Sequence, residues 1–263
     1  MTADRIARLV AEPPAECHLF LPDALDPTTP LLVCVHGISR NAEEHLSNFA
    51  PLAAAHGVAV LTPVFAPAPF PDYQRLGRQG RGLRADLVLR AMLDRLGEQC
   101  GLAPERIHLF GHSGGAQFVH RYAMAYPTQV ARYVVSAAGW YTLPDCSLPY
   151  PFGTALDWNL PGIAFDPSAY LRVPGAVLVG TKDRRRGTTL RQAPFLDAAQ
   201  GRTRIERAKH WVAAMNAAAT ARGLLPPLSF ELVPGAGHRF GEMAVQGAAA
   251  RAFNFLFGSE RHT

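Results

Sequence analysis

The stretch Gly111-His112-Ser113-Gly114-Gly115 sets a serine between glycines placed two residues before and two residues after it. It follows the apolar run IHLF directly and leads into a helical pattern, AQFVHRYAM. A serine hydroxyl is a weak nucleophile until a base takes its proton, and a sharp strand-to-helix turn is a way to present it to both base and substrate. Such a turn strains the backbone and crowds the positions on either side, which Gly111 and Gly115 relieve. His112 completes the elbow. The first amides of the following helix, that of Gly114 among them, point toward the hydroxyl and suit a developing oxyanion. The plain alternative is a tight glycine turn around an ordinary serine, and the strand and helix on its flanks argue against it.

An activated serine needs an imidazole, and the imidazole needs an acceptor that fixes its tautomer. In LSFELVPGAGHRF an apolar run leads through a Pro-Gly-Ala-Gly loop to His238, and PGAVLVGTKDRRRG supplies a strand and a turn bearing Asp183. Ser113, Asp183 and His238 thus follow one another in the order nucleophile, acid, base. His36 precedes the serine and His108, His120 and His210 lie on strand or helix patterns, so structural roles are expected for them. Asp145, Asp157 and Asp166 fall in an irregular stretch, Asp197 follows a loop and Glu231 lies within a strand pattern, which leaves Asp183 as the expected acid. Arg184, Arg185 and Arg186 read as a solvated loop face, with an ionised Asp183 or an anionic substrate as the other uses of their charge. A second oxyanion donor must come from another loop, and the Ile38 amide in His36-Gly37-Ile38 is the candidate.

These residues need a frame that brings strand ends together. Short apolar runs alternate with longer amphipathic ones, the pattern of an α/β fold whose mostly parallel sheet carries helices on both faces. Strands are predicted at 31–35, 58–62, 107–110, 133–137, 176–179 and 230–233, with an antiparallel edge at 18–21. Helices are predicted at 43–56, 83–99, 116–126, 203–221 and 243–257. Two stretches break the rhythm after strands, 63–82 and 141–172, where parallel sheets place their ligand sites. Within one domain spanning 1–263, the second is expected to form a small cap-like insertion. Phe65, Phe70, Tyr73, Trp140, Tyr141 and Trp158 are its candidate pocket walls, together with the first stretch.

Composition narrows the classes further. The 263 residues are 48% hydrophobic, enough for one large core. No apolar run is long enough to span a bilayer, and the start, MTADRIARLV, lacks the apolar stretch of a signal peptide, so a cytoplasmic protein without membrane contact is expected. The formal charge of +5 comes from arginine, since Lys182 and Lys209 are the only lysines. No basic block or aromatic-basic repeat accompanies it, so no nucleic-acid partner is expected. Cys17, Cys34, Cys100 and Cys146 show neither CxxC spacing nor a histidine ligand pattern; no metal is expected, and Cys34 in LLVCV reads as core.

With these residues in place, the chain resembles the α/β-hydrolase superfamily from the strand ending in His36-Gly37 to its last helix. The segment PERIHLFGHSGGAQFVHRYAMAYP is similar to esterases related to polyhydroxybutyrate depolymerases and feruloyl esterases. The resemblance implies a serine hydrolase that cleaves carboxylic esters through an acyl-enzyme without a cofactor, and the small apolar pocket expected under the cap favours small neutral or aromatic esters. Polymer-degrading members have a cysteine after the His-Gly pair, where this chain has Ile38. Thioesterases, amidases or peptidases and perhydrolases use the same triad, and a ligand-binding homologue that has lost catalysis is the alternative from another class.

Overall fold

A computed structural model describes residues 6–11, 15–156, 158 and 160–258. Its centre is an eight-stranded sheet of β1 (Ile6–Ala11), β2 (Ala15–Phe20), β3 (Leu31–Val35), β4 (Ala59–Val64), β5 (Ile107–His112), β6 (Val130–Ser136), β7 (Gly175–Gly180) and β8 (Leu228–Val233). The spatial order is β1-β2-β4-β3-β5-β6-β7-β8. The pairs β1–β2 and β2–β4 are antiparallel and all others are parallel. Parallel strands need crossovers, and these are α1 (Ala42–His56), α2 (Ala85–Cys100), α3 (Gly114–Ala125) and α6 (Arg204–Thr220). The shorter α4 (Pro167–Tyr170) and α5 (Pro194–Gln200) lie between β6 and α6, and α7 (Phe240–Val245) and α8 (Ala248–Phe257) end the fold.

Every residue of β3 is fully buried, because the sheet is covered on both faces. Leu31, Val33 and Val35 join a core shared with Leu89 and Met92 of α2, Phe118 of α3 and Trp211 of α6. Leu32 and Cys34 face the other way, into a core with Phe49 of α1 and Phe253 and Leu256 of α8. The period-two alternation of one strand therefore feeds two cores. Among the described residues no helix is long and apolar enough to cross a membrane.

The six predicted parallel strands are all present. The antiparallel segment expected at the sheet edge is instead second from it, because β1 adds a further strand outside. IARLVA has no strict alternation and is rich in helix formers, so its sequence carries no strand signal. The predicted helix 243–257 is two helices, broken at Gly247, whose φ of 83° is left-handed.

Among the described residues between Tyr141 and Arg172 the only helix is α4. Tyr141 stacks on Trp211 at 4.7 Å between ring centroids, and the Trp211 indole N–H donates to the Thr142 carbonyl at 2.8 Å. Phe152 packs on Trp140, and Tyr150 on Phe165. Trp211 is thus the point where this segment is fastened to α6. Trp211→Ala is expected to cost about 3–5 kcal/mol, the range for emptying a buried aromatic site. Chemical denaturation measures it, and a loss below about 1 kcal/mol would show that the segment is held elsewhere.

Candidate active site

Ser113 sits between β5 and α3 with φ 53° and ψ −107°, a conformation that few residues other than glycine adopt. The surroundings enforce it. A Cβ on Gly115 would lie 2.0 Å from the Val35 carbonyl oxygen, and one on Gly111 2.3 Å from the Gly115 carbonyl oxygen. The turn is drawn tight against the ends of β3 and β5 in a way only glycine permits, while the Ser113 amide donates to the Ser136 carbonyl at 2.7 Å.

The Ser113 hydroxyl lies 3.2 Å from His238 Nε2, and His238 Nδ1 lies 2.8 Å from Asp183 Oδ2. A carboxylate only accepts, so Nδ1 carries the proton and Nε2 is left to accept from the serine. Asp183 follows β7 and His238 follows β8, neighbours in the sheet, and the two loops are joined directly. The Thr181 and Lys182 amides donate to the Val233 and Ala236 carbonyls, and the Gly235 amide donates to the Thr181 hydroxyl. The three residues singled out in the sequence are thereby gathered at one end of the sheet.

Arg204, the first residue of α6, was not legible as part of this group. Its Nη1 donates to the second Asp183 oxygen at 3.0 Å and its Nη2 to the Thr189 hydroxyl at 3.1 Å. Both members of the pair are almost wholly buried, with side chains 2% and 3% exposed. The charge on Asp183 is therefore met by a residue distant in sequence and not by its arginine neighbours. Arg184 donates to the Thr181 carbonyl, Arg186 pairs with Asp197, and Arg185 faces a groove.

The remaining histidines near Ser113 are held neutral by burial. His36 Nε2 accepts from the Phe65 amide at 3.0 Å, which leaves Nδ1–H to donate to the Gly37 carbonyl at 2.8 Å. Burial, aided by the nearby Arg40 charge, lowers its pKa to about 4. His120 is tied in the same way between the Ala116 carbonyl and the Thr142 amide. His45 is lowered to about 3 by burial and stacks on Phe240 at 4.1 Å. His112 contacts the Ser136 hydroxyl at 3.1 Å, and its pKa lies well below the usual range because it is buried and close to His238. Its ring centroid is 5.3 Å from that of His238, so the elbow's own histidine forms one wall behind that ring. His210 is exposed.

The loop after β3 passes beside the serine: a Cβ on Gly37 would lie 3.5 Å from Ser113 Cβ, and one on Gly114 would lie 3.1 Å from Ile38 Cγ2. Gly114 opens α3, so its N–H has no carbonyl one turn back to receive it. The Tyr73 hydroxyl donates to the His36 carbonyl at 3.1 Å and approaches within 2.5 Å of where a Gly114 Cβ would stand. Tyr73 therefore braces the loop that carries Ile38.

A cleft of about 340 Å³ opens over the serine, lined among others by Gly37, Ile38, Asn41, Ser113, His238 and Phe240. The expected pocket walls are not among its lining. Phe65, Phe70 and Tyr141 are fully buried and Trp140 nearly so, because these rings complete the core beneath the loops. Trp158 is 81% exposed and packs on no described ring. The walls come instead from the loop after β3, α1 and the segment after His238. Among the described residues no cluster of three or more His, Cys, Asp or Glu is placed to hold a metal ion.

Removing Arg204 leaves Asp183 as a buried carboxylate without its cation. Arg204→Met is expected to destabilise the fold by about 3–5 kcal/mol, and adding Asp183→Asn to recover much of that loss, since the charge that needed compensation is gone. Denaturant titration of the single and double variants decides it. Equal stability of wild type and Arg204→Met would mean that the pair is not coupled to folding.

No protein-family model matches the sequence, and no curated protein matches it. Solved structures do. The fold is similar to that of poly(aspartic acid) hydrolase-1 from Sphingomonas sp. KT-1, with a TM-score of 0.80 and 25% identity over 94% of this chain and 98% of that one. It is also similar to LpqC, a poly(3-hydroxybutyrate) depolymerase from Bordetella parapertussis, at a TM-score of 0.77 and 25% identity over 96% and 91% of the two chains. A ferulic acid esterase shares the fold at a TM-score of 0.63 and 15% identity, over 95% of this chain and 96% of that one. With its mostly parallel sheet, helices on both faces and serine elbow after β5, the chain is a hydrolase of the α/β-hydrolase superfamily.

Proposed function

We propose that the chain hydrolyses carboxylic esters by acyl transfer through Ser113, with His238 as base and then acid and Asp183 as the orienting acid. The observation that carries this reading is the continuous contact from the Ser113 hydroxyl through the His238 ring to Asp183, at 3.2 Å and 2.8 Å, on a turn whose φ is 53°. In the first half-reaction the Ser113 proton passes to His238 Nε2 as the Oγ–acyl bond forms. The carbon–oxygen bond to the alcohol then breaks and the same proton leaves with the alcohol. Water repeats the sequence on the acyl-enzyme, with its proton taken by His238 and returned to Ser113. The Gly114 and Ile38 amides are the proposed oxyanion donors, and loss of one such donor costs about 3 kcal/mol in other enzymes.

The likeness to LpqC supports an ester substrate, while thioesters, amides and peracids make the same demand on the triad. The cleft of about 340 Å³ favours short acyl groups or a compact aromatic acid, since an apolar pocket rejects what it does not contain. Its apolar side is Ile38 and Phe240.

A fluorophosphonate probe is expected to label Ser113 alone, and Ser113→Ala to abolish both labelling and turnover; labelling that persists in that variant removes the nucleophile assignment. Asp183→Asn is expected to lower turnover by several orders of magnitude, about 10⁴-fold where the same change was made in another triad enzyme. Across p-nitrophenyl esters of rising acyl length the rate should peak at short chains. A steady climb to long chains, with activation at a lipid surface, would indicate a lipase.

A further inference from the structure

Beside the cleft over Ser113 runs a second, larger groove of about 1080 Å³, and the two share His238 and Arg239. Its lining includes Lys182, Arg185 and Arg239, with Glu242 as the opposing charge; Asp183 also borders it but is already paired with Arg204. Many of the chain's arginines are spent within the fold, in pairs with Asp72, Asp86, Asp183, Asp197 and Glu231. Lys182, Arg185 and Arg239 form no side-chain ion pair or hydrogen bond among the described residues, and all three are exposed. Two of them are covalent neighbours of the residues in the relay: Lys182 precedes Asp183 and Arg239 follows His238. The hydrogen bonds that join the two loops tie the backbone at Lys182 to the loop that leads to His238 and Arg239.

We infer that this groove receives the leaving-group half of the substrate and that this half carries a carboxylate. The inference rests on the assignment of Ser113 and His238 proposed above. His238 hands its proton to the departing oxygen, so that oxygen must lie against Nε2, and what is attached to it extends past the ring. The groove meets the cleft at His238 and Arg239, so a leaving group long enough to reach past the ring comes to it. An anion there meets three cations against one carboxylate, whereas the cleft over Ser113 is bordered by neutral His45 and His112, by Phe240, and by Glu44 set against the shared Arg239. The acyl side is thereby suited to a neutral group and the alcohol side to an anionic one. Because the cations are exposed, their attraction is screened by salt.

The test is a matched pair with one acyl group and two leaving groups, 4-acetoxybenzoate and its methyl ester, each rate divided by its alkaline hydrolysis rate to remove intrinsic reactivity. The normalised kcat/KM of the wild-type enzyme should favour the carboxylate, and that preference should shrink at high salt. Lys182→Gln combined with Arg185→Gln should lower the preference about fivefold to tenfold, in line with the loss of two exposed charges. Reading the ratio cancels any effect common to both substrates. A wild-type preference for the methyl ester, or a ratio that neither salt nor the double variant changes, overturns the inference. Turnover of both substrates by Ser113→Ala would instead strike at the nucleophile assignment, so the two failures are separate.

Discussion

Asp183 holds two partners at once, His238 on one oxygen and Arg204 on the other, and the arrangement of the site follows from that division. A carboxylate this deeply buried carries a large desolvation cost unless both oxygens are met by donors. Arg204 meets one from the first turn of α6 and is itself fixed by Thr189. The other oxygen accepts from His238, on the loop after β8. The imidazole is thereby held in one tautomer with its free nitrogen turned to Ser113. Without the arginine, the carboxylate would be buried with one oxygen unmet, and the ring would be the sole described side chain left to offset its charge.

The second constraint is steric. The strained Ser113 backbone persists because the elements around it leave no room to relax. Gly115 lies against the end of β3, Gly111 against the start of α3, and Gly114 under Tyr73 and Ile38. Three glycines within five residues give up helix and strand stability in return for close backbone approach. That approach also brings the His36-Gly37-Ile38 loop beside the serine, so the steric device that exposes the hydroxyl sets the neighbouring amides at the same time. Gly180 plays a similar part further along the sheet, where a Cβ would meet the Ala236 and Gly237 carbonyl oxygens at 2.4 Å and 2.5 Å, in the loop that delivers His238.

The frame and the gathered side chains were legible because their signals are local. Short apolar runs rich in valine, such as LLVCV and GAVLVG, read as buried strands, and Ser113, Asp183 and His238 each follow a run of this kind on a short turn. What was not legible depends on contacts between distant segments. Arg204 looks like any surface arginine at a helix start, since nothing in TRIERAK tells that its guanidinium turns inward to Asp183. The aromatic residues misled for the same reason. Phe65, Phe70 and Tyr141 lie in proline-rich, irregular stretches that resemble pocket loops, yet an irregular segment packed on a sheet also needs its own core, and these rings supply it. Tyr73 has the right neighbourhood but a bracing task, seen only once its hydroxyl is found on the His36 carbonyl.

The contrast among the histidines shows why position alone does not make a candidate base. His36, His45, His112 and His238 all stand close to the serine turn, and a ring buried without a carboxylate is kept neutral by the cost of charging it in a low-dielectric surrounding. Such a ring holds its proton on the nitrogen its neighbours dictate, as His36 does between Phe65 and Gly37, and it has no means of stabilising a second one. His238 differs on two counts: its side chain is 24% exposed, and it is bonded to a carboxylate whose other oxygen is already neutralised. An imidazolium formed there is met by an acceptor that need not move. The neutral rings around it serve the opposite purpose, since His112 and His45 with Phe240 wall the cleft without adding a charge that would compete for Asp183 or repel a protonated His238. One charged partner placed among neutral neighbours is what separates the proposed proton carrier from the scaffold.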